Sequence, residues 1–545
     1  MIKMKQFNIL VFSLIIIFNA LSQDNFSIYG DIQINGQTFE EDASIGAEKR
    51  DPSSQNYLNL TLNFKDYLRI GSRFELHSNP IPDLKNYEGG GISNKFIQFQ
   101  KWNLDITLGN FYDQFGSGIL FRSYFDPNLG IDNSMYGARI KYRPISGIDL
   151  IAIIGKQRNY WEYGDGLVRG FDTQVYLNDY LFKKSKTTVS LGGSFVTKFE
   201  EDNSIKYILP ENVGAWSSRI NIGRGRWNFD GEYAHKINDP SPDNGLIYKN
   251  GNSLILSGSY SKKGLGIVLS GKRVDNMSFR SDRNAELTQL NINFLTSLNK
   301  QQSYSLAALY PYVTQPNGET GLQFDFFYKI PKNSSLGGKY GTEINVNFSN
   351  CYTLHKTNPI DTNSIGISGT YGYESSFFKF GDEKIFQELN ISLKKKINKK
   401  LKLNTTYINV FNNDKILKSQ LTIDGSEEKI FANIFILETE YKLKSRHTIK
   451  TEIQHLQTKQ HFGNWGMGMI EFNLGSFFFS AQDLFNYGHP NSANHYYSVT
   501  TGLVKDSHRI ELRYGKVRAG LFCVGGVCRE VPASNGFSIN FTYSF

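Results

Sequence analysis

Gly536-Phe537-Ser538-Ile539-Asn540-Phe541-Thr542-Tyr543-Ser544-Phe545 closes the 545-residue chain and puts every apolar side chain on one face. In an extended strand successive side chains point to opposite faces, so this period of two reads as a β-strand with one apolar side. The same alternation opens at Phe26-Ser27-Ile28-Tyr29-Gly30-Asp31-Ile32-Gln33-Ile34. It returns through the interior: Leu68, Ile70 and Phe74 alternate with Arg69, Arg73 and Glu75, and Ile510, Leu512 and Tyr514 with Arg509, Glu511 and Arg513. A soluble β-sandwich shows the same period, so period alone leaves two folds open.

Connection lengths separate them. Short turns recur at Lys65–Tyr67, Lys101–Asn103, Gly223–Arg226, Ser261–Gly264, Asn299–Gln302, Lys444–Arg446 and Lys505–Ser507, among others. Longer, more variable stretches lie between them, such as Tyr112–Ser134, Val274–Glu286, Thr314–Gly318, Asn350–Lys384 and Arg518–Asn535. Short connections at one end and long loops at the other characterise transmembrane barrels. The expected fold is an all-β, antiparallel transmembrane barrel of about 26 strands (range 22–28), occupying residues 23–545.

Composition agrees. Aromatics make up 14% of the chain and Pro only 14 residues, so the 50 Gly do not signal disorder. A mean hydropathy of −0.39 excludes a bundle of membrane helices but not a barrel, in which only alternate residues meet lipid. The one continuous apolar run is Ile9–Phe18, preceded by Lys3 and Lys5 and followed by Ala20-Leu21-Ser22. That layout predicts a signal peptide over residues 1–22. The net charge of +9 is spread along the chain, which argues against a nucleic-acid partner. Strand-like alternation from Phe26 leaves no room for an N-terminal plug domain or periplasmic repeats.

The segment Leu108–Arg143 mixes Gly, aromatics and charge. Its apolar Ile119-Leu120-Phe121 sit badly in water, so the loop is expected to fold into the lumen as a constriction. The candidate constriction residues are Asp113, Gln114, Arg122, Asp126, Asp132, Arg139, Lys141 and Arg143. Either the basic groups oppose the acidic ones across the lumen, or they pair with them to anchor the loop to the wall. Near the C-terminus, Gly525-Gly526 can form a tight turn that brings Cys523 and Cys528 together, and an exported chain permits a disulfide. Cys351 is then left over. His489, Ser492 and His495 match no nucleophile elbow, and Gly116-Ser117-Gly118 lies in no strand–helix phosphate motif. No catalytic, metal or cofactor site is therefore expected.

Asp113-Gln114-Phe115-Gly116-Ser117-Gly118 with Gly130-Ile131-Asp132-Asn133, and the tail from Cys523 through Val531-Pro532-Ala533-Ser534-Asn535 to Phe545, resemble a family of uncharacterised outer-membrane barrels from Bacteroidota. The resemblance runs over most of the mature chain, implies the barrel fold and transfers no activity. The run Gly109–Gly116 is also similar to the start of inward loops in specific porins. The expected function is a channel or transport protein of the outer membrane, its wide lumen narrowed by inward loops and both termini periplasmic. The alternative is a non-enzymatic structural subunit of an outer-membrane secretion or assembly complex. Expected partners are outer-membrane lipid, the barrel-insertion machinery that reads a terminal aromatic such as Phe545, and other envelope proteins.

Overall fold

Each alternating run pairs with its neighbour in sequence. In the computed structural model, which describes residues 25–181, 183–419, 429–489 and 493–545, twenty-four antiparallel strands form one sheet among the described residues. The predicted signal peptide, and Pro490–Ser492 of the His-Asn-Ser loop, lie outside them. The first strand, Phe26–Phe39, pairs with both Arg50–Phe64 and the last strand, Ser534–Ser544. Asp31 lies opposite Ser544 and Gly36 opposite Ile539, and Gly30 and Phe545 exchange two backbone hydrogen bonds of 2.9 Å. The ring is closed and has no free edge. The strand Gly536–Phe545 that suggested the fold is thus the one that seals it.

The wall sorts its side chains by parity. On the strand Lys429–Lys444, Phe431, Phe435 and Leu437 are exposed outward, whereas Ile430, Ala432 and Ile434 are fully buried inward. Outward apolar residues recur on other strands, including Ile97, Ile140, Leu269, Ile453 and Phe537. A closed barrel with apolar groups facing out is built to be surrounded by lipid, where every backbone polar group must be paired within the sheet. No described helix is long and apolar enough to cross a membrane.

The expected short turns join neighbouring wall strands at one end of the barrel. Trp102 and Asn103 take left-handed φ values of 53° and 61°, the pattern of a tight two-residue hairpin turn. Both ends of the described chain lie at this short-turn end, where Lys65 donates to the carbonyl of Asn25 and Ser544 to that of Ser507.

The exception is Asn299–Gln302. The strand Leu265–Asp275 pairs directly with Glu319–Ile330, and everything between them leaves the wall. Residues 276–318 therefore form neither two wall strands nor the separate outer loops Val274–Glu286 and Thr314–Gly318. This accounts for the difference between the expected 26 strands and those observed. A circular ring of this many strands, spaced about 4.8 Å and tilted about 40°, has a radius of about 24 Å. Such a lumen is wide, and the chain fills much of it with its own segments.

Candidate functional site: a lumen filled by the chain itself

Three segments fold inward from the long-loop end. The first follows the strand Leu104–Phe111. Phe115, Ile119, Leu120 and Phe121 are all fully buried, packed against inward Val196, Val213 and Ala234 of the wall. The tip of this loop is received by polar groups on the inner wall. The Ser117 amide donates to Glu232 Oε2 at 2.9 Å, and Ser217 Oγ donates to the other carboxylate oxygen at 3.0 Å. Beside it Arg219 pairs with Asp172 at 2.8 Å. Gly116 approaches so closely (φ 50°) that a Cβ there would sit 2.4 Å from Arg219 Cδ, which explains a glycine at this point.

The predicted constriction residues separate into several roles. Asp113 meets Lys141 at 2.8 Å and Arg139 at 3.6 Å, and Arg139 also reaches Asp105 at 3.3 Å. These pairs tie the loop to the strand Met135–Tyr142, which is the anchoring arrangement. Gln114 donates to the Gly116 carbonyl at 2.8 Å. Asp126 accepts the amides of Asn128 and Leu129 and shapes a turn. The Arg122 guanidinium lies over the rings of Tyr124 and Phe294, 4.7 and 4.1 Å from their centroids. Arg143 does not join them: it pairs with Asp149 in an exposed position near the short-turn end.

Asp132 has different partners again. It sits in a buried ionic cluster with Arg73 and Glu75 of the strand Leu68–Ser78 and Arg158 of Ile148–Asn159. Arg158 contacts Asp132 at 2.5 Å and Glu75 at 2.9 Å, while Arg73 holds Glu75 at 2.8 Å and also pairs with Asp132. The Tyr112 hydroxyl donates to the second Asp132 oxygen at 2.9 Å. Two guanidinium groups and two carboxylates leave no net charge, so the cluster is a lock between loop and wall. Arg73 and Arg158 were missed as partners of Asp132, and Glu75 as the second carboxylate they share. Their only sequence signal is polarity at an inward position, which names no partner.

The second segment, residues 276–318, crosses the lumen. Met277, Phe279 and Ile292 are fully buried in the same core as Phe115 and Phe121. Backbone bonds join the two segments: Phe294 donates to the Gly118 carbonyl and Arg122 to that of Ile292, each at 2.9 Å. Inner-wall cations hold the segment's backbone, since Lys236 Nζ donates to the Ser278 carbonyl and Lys272 Nζ to that of Thr296, each at 2.7 Å. Further along, Leu306, Tyr310, Tyr312 and Val313 pack on inward Phe386, Ile408, Ile434 and Trp465. Free Cys351 is buried in this core, its Sγ 3.7 Å from the Tyr312 hydroxyl.

Between these two apolar regions the segment touches the wall through polar groups. Lys300 donates to Asn390 Oδ1 at 3.0 Å, Gln302 to Glu388 Oε1 at 2.6 Å, and the Tyr304 hydroxyl to Glu438. Asn404 and Glu438, the partners of the Tyr304 hydroxyl, also line a vestibule of about 510 Å³, together with Lys394, Lys402, Glu440, Lys450 and Glu452 among others. Lys402 and Glu440 are paired at 2.8 Å, and the lining as a whole carries both signs of charge.

The third segment is the hairpin Gly520–Val524 and Val527–Val531. Cys523 and Cys528 are disulfide-bonded across it, and Gly525 and Gly526 take φ values of 60° and 83° at its tip. The tip reaches the second segment, where the Thr314 amide donates to the Gly526 carbonyl at 3.1 Å.

A comparison with curated proteins gives no match. Among solved structures, the chain is similar to the translocation pore of the P pilus usher PapC (8% identity, TM-score 0.42, 95% of this chain and 99% of that one). It is similar to the siderophore receptor PirA from Pseudomonas aeruginosa (9% identity, TM-score 0.39, 95% and 80%). It is likewise similar to a BenF-like porin from Pseudomonas fluorescens Pf-5 (8% identity, TM-score 0.32, 96% and 98%). A family model matches residues 4–545, nearly the whole chain, and the protein belongs to the family of unknown function DUF6029.

Proposed function

We propose that the protein is an outer-membrane transport barrel, closed at rest by its own inward segments, and that its gate is the stretch Asn299–Ser305. The observation that carries this reading is the charged vestibule, two of whose lining residues, Asn404 and Glu438, are hydrogen-bonded to the Tyr304 hydroxyl. A polar, water-accessible entry that stops at a few exchangeable hydrogen bonds is the form of a closed conduit.

Magnitudes favour this stretch over ejection of the whole insert. Exposing Met277, Phe279, Ile292, Leu306 and Tyr312 would cost about 1.5–3 kcal/mol for each side chain, too much for routine opening. Lys300, Gln302 and Tyr304 exchange three wall contacts to or from ionisable groups for water, at a net cost of about 1.5–3 kcal/mol each, and leave the apolar anchors on either side in place. In this reading the short-turn end and both termini face the periplasm, residues 1–22 direct export, and lipid and the insertion machinery are the obligatory partners. The protein carries out no catalysis and needs no cofactor.

Proteoliposome flux tests it. The double variant Gln302→Ala/Tyr304→Ala should raise the entry of small hydrophilic solutes several-fold over the unaltered barrel. Flux equal to that of empty vesicles in both proteins would contradict a conduit.

A second reading is a non-enzymatic subunit of an envelope complex. It is favoured by the loops 200–211 and 358–373, which present Ile205, Ile208 and Ile360 almost fully to solvent at the long-loop end. A stable complex recovered in mild detergent, together with absent flux, would select it.

A further inference from the structure

We propose that the disulfide-closed hairpin Gly520–Val531 is a latch on the gate: seated, it holds the 276–318 insert shut, and lifted, it releases that insert. The proposal rests on reading Asn299–Ser305 as the gate.

The contacts of the tip are the first reason. Gln301, inside the gate stretch, donates through Nε2 to the Cys523 carbonyl at 2.9 Å and accepts the Gly525 amide at 3.1 Å. One side chain therefore reads both a carbonyl and an amide of the hairpin, and its neighbours Lys300 and Gln302 are the groups bonded to the wall. The Gly526 carbonyl accepts the Thr314 amide on the far side of the insert, and Arg529 donates to the Asn128 carbonyl of the first loop. The hairpin thus joins both inward segments and bonds to the second one both within the gate and beyond it.

Its build is the second reason. A turn with two left-handed glycines and a disulfide across the adjacent pair fix its shape before it docks. Gly526 fits where a Cβ would lie 2.3 Å from Thr314 Oγ1, so the tip approaches without a side chain. Cys528 is buried in the core around Leu306 and Tyr312, with Cys523 packed against it, so the bridged pair is the apolar foot on which this rigid element seats and lifts as one unit.

Room to move is the third. Two adjoining clefts of about 110 Å³ each lie where the hairpin meets the inward segments. One is lined by Leu521, Cys528, Arg529 and Glu530, the other by Gly526, Val527 and Cys528. The hairpin is therefore not packed along its whole length against the segments it joins.

The test uses the full-length barrel in proteoliposomes, with folding checked by heat-shifted gel mobility. Gln301→Ala and Cys523→Ser/Cys528→Ser are compared with the unaltered protein before and after dithiothreitol. Reduction of the folded protein covers the case in which a variant fails to fold. A variant lacking residues 276–318 serves as the open reference. Two quantities are read: protease cleavage within 276–318 and solute flux. The latch predicts at least fivefold faster cleavage for Gln301→Ala and for the protein without its disulfide, with flux rising in parallel. Cleavage and flux within twofold of the unaltered barrel, while the 276–318 deletion conducts, would overturn the latch and leave the conduit standing. Faster cleavage with no flux in any variant, the deletion included, would sustain the latch and overturn the conduit.

Discussion

Arg158 shows how individual charges are used inside this barrel. Its guanidinium bridges Glu75 on one wall strand and Asp132 on the first inward loop, with all three groups buried. Taking one member away leaves uncompensated charge in a dry site, and that costs about 3–5 kcal/mol where it has been measured for buried pairs. Arg158→Met is therefore expected to lower barrel stability by roughly that amount, read by denaturant unfolding in detergent micelles. A loss below about 1 kcal/mol would show that the cluster is open to water. At this scale the sequence was partly legible. Asp113, Arg139 and Lys141 stood out as charges in an unusual segment, and they do lie together. Arg73 was visible as an inward charge by parity. That Asp132 joins Arg73 and Arg158, whereas Arg143 turns to Asp149, depends on how a long loop crosses the lumen. Local pattern holds no record of that path.

Among the elements, the 276–318 insert is the one that sequence misplaced, for a physical reason. Leu290, Ile292 and Phe294 alternate with Asn291 and Asn293, so the run reads as a strand. Only an isolated bridge between Asn291 and Arg280 is extended there, and the backbone partners around it are other inward residues: Ile292 donates to Phe279 and Ser281 to Leu290, each at 2.9 Å. Alternation does not report the identity of the partner. A usable signal lay elsewhere. Lys429–Leu437 is apolar at both parities, as expected of a strand buried on both faces. One face meets lipid and the other, through Ile430, Ile434 and Ile436, meets the core around Leu306 and Tyr312. An inner wall that is apolar demands something inside to cover it. The insert's stability is accordingly separable from the wall's. Phe279→Ala removes a fully buried ring and should weaken the insert by about 3–5 kcal/mol. Hydrogen exchange should then speed up across 276–318 while the wall strands keep their protection. Equal loss in both would mean that insert and wall unfold as one unit.

At the scale of the whole molecule, the wall was the legible part. Period-two alternation, short turns and a closing aromatic strand are local features, and together they define a ring of strands within two of the number observed. What the ring contains is a long-range property. A barrel this wide would leak if empty, and here the chain supplies its own filling: two inward segments with an apolar core, polar seats on the wall and a disulfide hairpin set between them. Whether the lumen is closed therefore turns on residues 276–318. Single-channel conductance in planar bilayers measures this most directly, with the unaltered barrel set against one in which a short Gly-Ser linker joins Asp275 to Glu319. Closure by residues 276–318 predicts small or rare currents from the first and a steady conductance at least tenfold larger from the second. Equal conductance from the two barrels would contradict it.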